Sequence, residues 1–436
     1  MKQELFSEHF SVNERGNLSF DGLDLADAAR QFGTPAYLIS EDAVRQQCRS
    51  YMQAMRREFG GRFKVAYASK ALCSSFLYPI LQSEGLNADV VSGGELYTAL
   101  RAGFPASNLH FHGNNKTDAE LEQAVDCGIG SVVIDCFDEI ERLDALCSEK
   151  GKRVSVLLRV KPGVDAHTHE FISTGHNDCK FGFGIEDGQV YEAARRLKTC
   201  KSLDFCGLHC HIGSQIFLKE PFGVAADVMA GLFAALRRDF GFDLRELILG
   251  GGFGVKYMPE DRPVPVDEMV AFLGDAVRQS CKKHEVDVPE IVIEPGRSII
   301  CAAGVTLYTV GAVKPVPGAR TYVAVDGGMP DNPRFALYQA QYDACIVGKA
   351  GQEKTETVTI AGKCCESGDM ISRDIRLQPA QRGDLLCVFS TGAYTYSMAS
   401  NYNRLPRPPI VLVSEGASRL VVRRESFEDL VRNDLL

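Results

Sequence analysis

No uninterrupted apolar run in this chain is long enough to cross a bilayer, so no transmembrane helix is expected. Met1–Phe10 carries charged and polar residues and no apolar core, so no signal peptide is expected either. Basic residues are not in excess: 48 Lys plus Arg stand against 57 Asp plus Glu, a net charge of −9. That acidity is spread along the chain and argues against nucleic acid or an anionic membrane as a partner. The 15 cysteines are odd in number and follow no paired framework. Without an export signal they are expected to be reduced thiols. Internal repeats and low-complexity segments are lacking as well. Together these absences point to a soluble cytoplasmic protein. What is present is ordinary globular composition, 45% apolar and 24% charged, over 436 residues. That length allows two or three domains, or one barrel with an appendage.

Strand-like apolar runs recur at Phe63–Ser69, Asn87–Ser92, Leu109–Gly113, Ser131–Cys136, Arg153–Val160, Asp204–Gly213, Glu246–Gly252 and Glu290–Gly296. Between several of them, Ser75–Glu84, Glu95–Ala102, Asp118–Cys127 and Phe137–Lys150 have the three- and four-residue apolar spacing of helices. Strand alternating with helix predicts parallel βαβ units, and eight such strands predict a closed (β/α)8 barrel over residues 34–298. An open doubly wound sheet shares the local pattern, and the strand count separates the two. After Ser298 the rhythm changes to short β runs: Thr306–Val313, Thr321–Val325, Thr355–Ala361, Leu385–Phe389, Ile410–Val413 and Ser418–Val422. Residues 299–436 therefore read as a mostly β domain. Residues 1–33, with a strand at Asn17–Phe20, are expected to complete it.

The barrel strands end in polar residues or glycine, and in a barrel those ends meet on one face. Lys70 closes the first run. A desolvated lysine there would have a lowered pKa and an amine free to attack a carbonyl, whereas one that snorkels into water would be inert. Gly250-Gly251-Gly252 follows the seventh run. It fits either a phosphate held by backbone N–H groups or a tight turn requiring positive φ. His209 and His211 share a strand face as metal ligands, cofactor contacts or core histidines. Glu294 closes the eighth run, where it must pair with Arg297, find another donor or take up a proton. A lysine, a phosphate cradle, a flat histidine and a buried glutamate together describe a pyridoxal phosphate site. Cys365, in the Lys363–Asp369 turn, reads either as a proton donor or as a small thiol in a turn.

Tyr67–Ala71, Ser92–Leu96, Phe111–Thr117, His209–Gln215, Gly250–Gly254, Glu294–Arg297, Cys365–Asp369, Gly392–Tyr394 and Met398–Asn403 occur in the order seen in the fold-type III pyridoxal phosphate decarboxylases. The chain resembles that family from Phe32 to Val413, and most closely its diaminopimelate decarboxylase branch. The resemblance implies a barrel plus a C-terminal β domain completed by the N-terminal segment. It also implies a homodimer with shared active sites and a small amino-acid substrate. In it Lys70 matches the Schiff-base lysine, His211 the residue stacked on the cofactor ring, and Glu294 the partner of the ring nitrogen. Ser214, Gly250, Gly251, Gly252, Gly296, Arg297 and Tyr394 match cofactor-binding positions. Arg297, Arg334, Tyr338, Glu366 and Tyr394 match substrate contacts. Cys365 matches the proton donor, expected with Glu366 from the partner subunit. No metal is implied.

The implied reaction is decarboxylation of meso-2,6-diaminopimelate to L-lysine and carbon dioxide, the last step of lysine biosynthesis. Bidentate arginine suits the distal carboxylate of that substrate, and a carboxylate suits its ammonium. Phe335 departs from the family pattern, which has proline after the arginine, and Tyr342 stands where a histidine is common. The alternatives are a sister decarboxylase of carboxynorspermidine, D-ornithine or D-lysine, a metal-dependent barrel hydrolase using His209 and His211, and a non-catalytic binding relative.

Overall fold

The computed structural model of the chain describes residues 6–164 and 179–435. Two compact units emerge: Gln47–Gly254 with Pro263–Ser298, and Met1–Gln46 with Val255–Arg262 and Ile299–Leu436. Residues 34–46 and 255–262 group with the second, β-rich unit, whereas the sequence reading assigned them to the barrel.

The first unit is a barrel of eight parallel strands: β1 (Phe63–Ala68), β2 (Asn87–Val90), β3 (Leu109–Phe111), β4 (Ser131–Ile134), β5 (Val154–Lys161), β6 (Leu203–His209), β7 (Glu246–Ile248) and β8 (Glu290–Ile293). Each pairs with the next, and β8 closes on β1 through Ile291–Phe63, Val292–Lys64 and Ile293–Val65. The expected helices are present at Leu77–Ser83, Gly93–Arg101, Asp118–Cys127 and Phe137–Glu149. The third shows how local sequence sets an element. Thr117 and Glu120 form a reciprocal capping box at its start, and Gly128 ends it in the left-handed region at φ 71°. Leu121, Ala124 and Val125 are its buried residues.

Side chains on a strand alternate in direction, so every second residue can face the barrel axis. Three layers result. At the N-terminal ends, Lys64 Nζ lies 2.6 Å from Glu246 and 2.7 Å from Glu290. Above it, Ala66, Val133, Leu157, Cys206, Ile248 and Val292 pack into an apolar cluster. Two residues further along the strands, Ala68, Asp135 and Glu294 succeed Ala66, Val133 and Val292, so the carboxylates sit over an apolar floor.

The second unit is built on β9 (Gly304–Val316), β10 (Arg320–Val325), β11 (Ala344–Ile346), β12 (Glu356–Ala361), β13 (Met370–Leu377), β14 (Leu385–Val388), β15 (Ile410–Ser414) and β16 (Ala417–Val422). The sheet runs β13-β12-β10-β9, then the strand Ala36–Ser40, then β15-β16, with β14 pairing both β9 and β11. The N-terminal segment does complete this domain, by a different route from the one expected. Leu18–Phe20 pairs with Phe10–Val12 and Leu23–Asp24 in a small sheet of its own, and the strand that enters the large sheet is Ala36–Ser40. Phe10, Leu18, Phe20 and Leu25 share a core with Val305, Leu307, Val411 and Val413. Strand β13 escapes the sequence reading because Arg373, Asp374 and Arg376 interrupt its apolar alternation, and Asp374 takes a positive φ of 53°. Among the described residues no helix is long and apolar enough to cross a membrane.

One buried ion pair fixes the loop after β3. Lys116 Nζ lies 2.6 Å from Glu139 Oε1, both side chains being 1% exposed, and also donates to the carbonyls of Gly113 and Val133. Removing one member strands a buried charge, whereas removing both does not. Lys116→Met is expected to lower stability by roughly 3–5 kcal/mol, and Lys116→Met/Glu139→Leu by less. Chemical denaturation of the two variants tests this, and a double variant as unstable as the single would refute it.

Candidate functional site

The top layer of the barrel converges on Glu294, just beyond β8 and buried. Its Oε2 lies 3.1 Å from His209 Nε2, at the end of β6, in hydrogen-bonding geometry. Its Oε1 lies 3.0 Å from His112 Nε2, just after β3, in ion-pair contact. That second contact is out of hydrogen-bonding line, so Oε1 is a buried carboxylate oxygen without a hydrogen-bond donor. Burial opposes the charge on Glu294, but the two imidazoles prevail and hold it well below the usual carboxylate range. Burial pushes His209 down to about 3, so it is neutral and donates from Nε2. The sequence offers Arg297, another donor or a proton for Glu294, and the structure supplies His209 and His112. Those pairings join strands far apart in sequence, which no local pattern shows.

His209 and His211, considered together as a metal pair, part company. His209 serves Glu294, while His211 Nδ1 faces the N–H of Gly251 at 3.4 Å. Low-dielectric surroundings and the Lys70 ammonium hold His211 well below its ordinary value. The group with metal-like spacing is instead His112, His209 and Glu294, whose ligand atoms fall within 4.8 Å of one another.

The glycine run answers its own alternatives. A Cβ on Gly251 would sit 2.0 Å from the carbonyl oxygen of Glu294, and one on Gly252 would sit 2.1 Å from that of Gly213. Gly250 and Gly252 also take positive φ, 72° and 95°. Only glycine fits this turn, which brings bare backbone beside His211. Next to it, Arg297 donates through Nε and Nη2 to Ser214 Oγ at 3.3 and 3.0 Å. Gly296 packs on the end of β1, where a Cβ would meet that of Ala68 at 2.7 Å.

Lys70 follows in the 3₁₀ turn Ser69–Ala71 and is exposed rather than desolvated. Its charge nonetheless reaches buried groups. The Asp89 carboxylate accepts from the Ser69 N–H at 3.2 Å, and the Lys70 charge acts on Asp89, Glu95 and His211. Burial, with Glu294 adding to it, raises Asp89 well above the usual carboxylate range.

In the β-rich unit the helix Arg334–Tyr338 presents Arg334, which is 6% exposed. The guanidinium carbon lies 5.4, 5.6 and 5.7 Å from the ring centroids of Tyr257, Tyr338 and Tyr394. Among the described residues no carboxylate pairs with it, and its Nε is a buried donor without an acceptor. A guanidinium is permanently charged, so these rings enclose a buried cation. Tyr342 is fully buried and packs edge-on against Tyr257, with ring centroids 5.2 Å apart. Tyr394 adopts φ 58°, a region aromatic residues rarely occupy outside functional sites. Cys365 and Glu366 are exposed on their turn. Cys365 N–H donates to Asn403 Oδ1 at 2.9 Å, and Asp369 accepts from the N–H groups of Cys364 and Met329. Asn403 and Asp369, which hold this turn, fall in the stretches Met398–Asn403 and Cys365–Asp369.

The family described as pyridoxal-dependent decarboxylase, pyridoxal binding domain, matches residues 42–301. The diaminopimelate decarboxylase of Bacillus subtilis is 49% identical over 97% of this chain and 96% of its own. The crystal structure of diaminopimelate decarboxylase from M. jannaschii in complex with L-lysine superposes with a TM-score of 0.90, at 33% identity and 98% coverage of both chains. That of Helicobacter pylori, complexed with L-lysine, gives 0.85 at 30% identity, covering 94% of this chain and 98% of that one.

The close approach of Gly251 to β8 yields a test. Gly251→Ala forces a methyl onto the Glu294 carbonyl and is expected to cost about 1–3 kcal/mol. Thermal or urea denaturation reads this out, and an unchanged midpoint would show that the two strand ends yield freely.

Proposed function

Because the chain belongs to the diaminopimelate decarboxylase family of pyridoxal-dependent decarboxylases, we propose that it converts meso-2,6-diaminopimelate into L-lysine and carbon dioxide. The observation that carries the substrate is Arg334, a buried cation among tyrosine rings with no acidic partner among the described residues. A substrate with a second carboxylate at its far end satisfies it, and a monocarboxylate such as D-ornithine or D-lysine leaves it uncompensated.

The residues present fit the cofactor. Glu294 Oε1 lacks a donor, which a protonated ring nitrogen supplies. The Gly250–Gly252 turn, with Ser214, Gly296, Arg297 and Tyr394, suits the phosphate end, and His211 suits the ring face. Pyridoxal phosphate, when bound, supplies an aldehyde that takes the amine and a ring that accepts the electrons released with carbon dioxide. Lys70 offers the amine that retains it between turnovers. Arg297, Arg334, Tyr338 and Tyr394 orient the substrate, and Glu366 takes the distal ammonium. Cys365 delivers a proton to the α-carbon. Its exposure and that of Glu366 support their coming from a second copy of the chain, in a homodimer with shared sites. The reading carries with it a cytoplasmic location.

A second reading, a metal-dependent hydrolase, draws on the spacing of His112, His209 and Glu294. Elemental analysis of active protein decides between the two, since stoichiometric metal without cofactor would overturn the decarboxylase.

Incubation with meso-diaminopimelate is expected to release carbon dioxide and L-lysine in equal amounts, and turnover of D-ornithine or carboxynorspermidine instead would shift the assignment to a sister enzyme. Lys70→Ala should abolish turnover and the cofactor's visible absorption band. Cys365→Ala should slow turnover about 10²–10⁴-fold with cofactor retained, as loss of a general acid does. Mixing these two inactive variants through reversible dissociation should restore about a quarter of the activity if sites are shared across a two-fold axis. No recovery would argue for sites completed within one chain.

A further inference from the structure

Glu294 uses its two oxygens unequally, and the two histidines beside it are the cause. Oε2 is tied to His209 Nε2 at 3.1 Å, while Oε1 touches His112 Nε2 at 3.0 Å without hydrogen bonding to it. Three buried atoms are thereby left without hydrogen-bond partners: Glu294 Oε1, His112 Nε2 and His209 Nδ1. The imidazoles stand 4.7 Å apart, centroid to centroid, with an interplanar angle of 66°, so the carboxylate is held between a donor and a wall. Neither histidine is free to drift. The backbone N–H of His112 donates to the Val90 carbonyl at 2.8 Å, and the loop it opens is tethered by buried Lys116. His209 is held in the strand ladder opposite Arg159 and Ile248.

We propose that His112 and His209 are positioning residues that aim Glu294 Oε1 at the cofactor's ring nitrogen. This deepens the pyridoxal phosphate reading and rests on it. His209 fixes the carboxylate through one oxygen, and His112 blocks its rotation without occupying the other. The residue type follows from the charge balance. An arginine in either place would neutralise Glu294 and compete with the ring N–H for it. The neutral His209 imidazole donates a hydrogen bond and leaves the negative charge for the ring. In the apolar layer beneath, the Cys206 thiol is committed to the Val156 carbonyl, and Val133 and Val292 carry no side-chain donor.

The test compares two amides at position 209. His209→Gln places an N–H near the native Nε2, whereas His209→Asn reaches only the Nδ1 position. Each variant, with wild type and His112→Leu, is reconstituted with pyridoxal phosphate labelled with ¹⁵N in the ring. The readouts are the ring-nitrogen chemical shift, which separates protonated from bare nitrogen, and the dissociation constant from absorbance titration. Wild type and His209→Gln should show a protonated ring nitrogen with similar affinity. His209→Asn should bind about 10–100-fold more weakly, the worth of a hydrogen bond to a charged group, with the shift moved toward bare nitrogen. His112→Leu should lower kcat with KM nearly unchanged. The proposal is overturned if His209→Asn and His112→Leu both keep wild-type affinity and a protonated ring nitrogen. It is also overturned if His209→Gln loses as much as His209→Asn. Failure of the cofactor reading itself looks different, because wild type would then take up no pyridoxal phosphate.

Discussion

A negative charge buried over an apolar floor is the constraint on which this molecule's chemistry depends. Glu294 sits where water cannot solvate it, and an isolated carboxylate there would take up a proton. It remains ionised because His209 donates to one oxygen and His112 abuts the other. Those histidines come from strands β6 and β3, and Glu294 from the end of β8. The contacts that keep it ionised in a buried place therefore form only when the barrel is closed.

The surrounding backbone is shaped to the same point. Gly251 and Gly252 approach the neighbouring carbonyls more closely than any side chain allows, and Gly296 packs on the end of β1 two residues before Lys70. Burial elsewhere is paired: Lys116 and Glu139 neutralise one another, and Lys116 also donates to the carbonyl of Gly113 in the loop that follows His112. The β-rich unit follows the opposite rule. Arg334 is buried among tyrosine rings without a carboxylate, a cation left open to an anion that the described residues do not provide. Cys365 and Glu366 stand exposed on a turn whose backbone N–H groups are anchored by Asp369 and Asn403.

Much of the fold was legible because its signals are local. Alternating apolar runs marked all eight barrel strands, and apolar spacing of three and four marked the helix Asp118–Cys127 to its ends. Errors arose where the signal was interrupted or the partner distant. Strand β13 carries charges and a bulge, so its period was broken. Leu18–Phe20 read correctly as a strand, but its partners did not, since pairing depends on which edges the rest of the chain leaves open.

At the site, the sequence by itself determined the inventory: a lysine, a glycine turn, histidines, a glutamate and arginines at strand ends, in an order that names a family. Residue types and spacing along a chain are enough for that, because side-chain chemistry and β periodicity are local properties. Only the tertiary structure decided the pairings. It separated His209 from His211, directed Arg297 onto Ser214, joined Glu294 to His112 and left Lys70 exposed. Hydrogen bonds and charge interactions act over a few ångströms of space. Residues 112, 209 and 294 come within that range only when β3, β6 and β8 share one barrel.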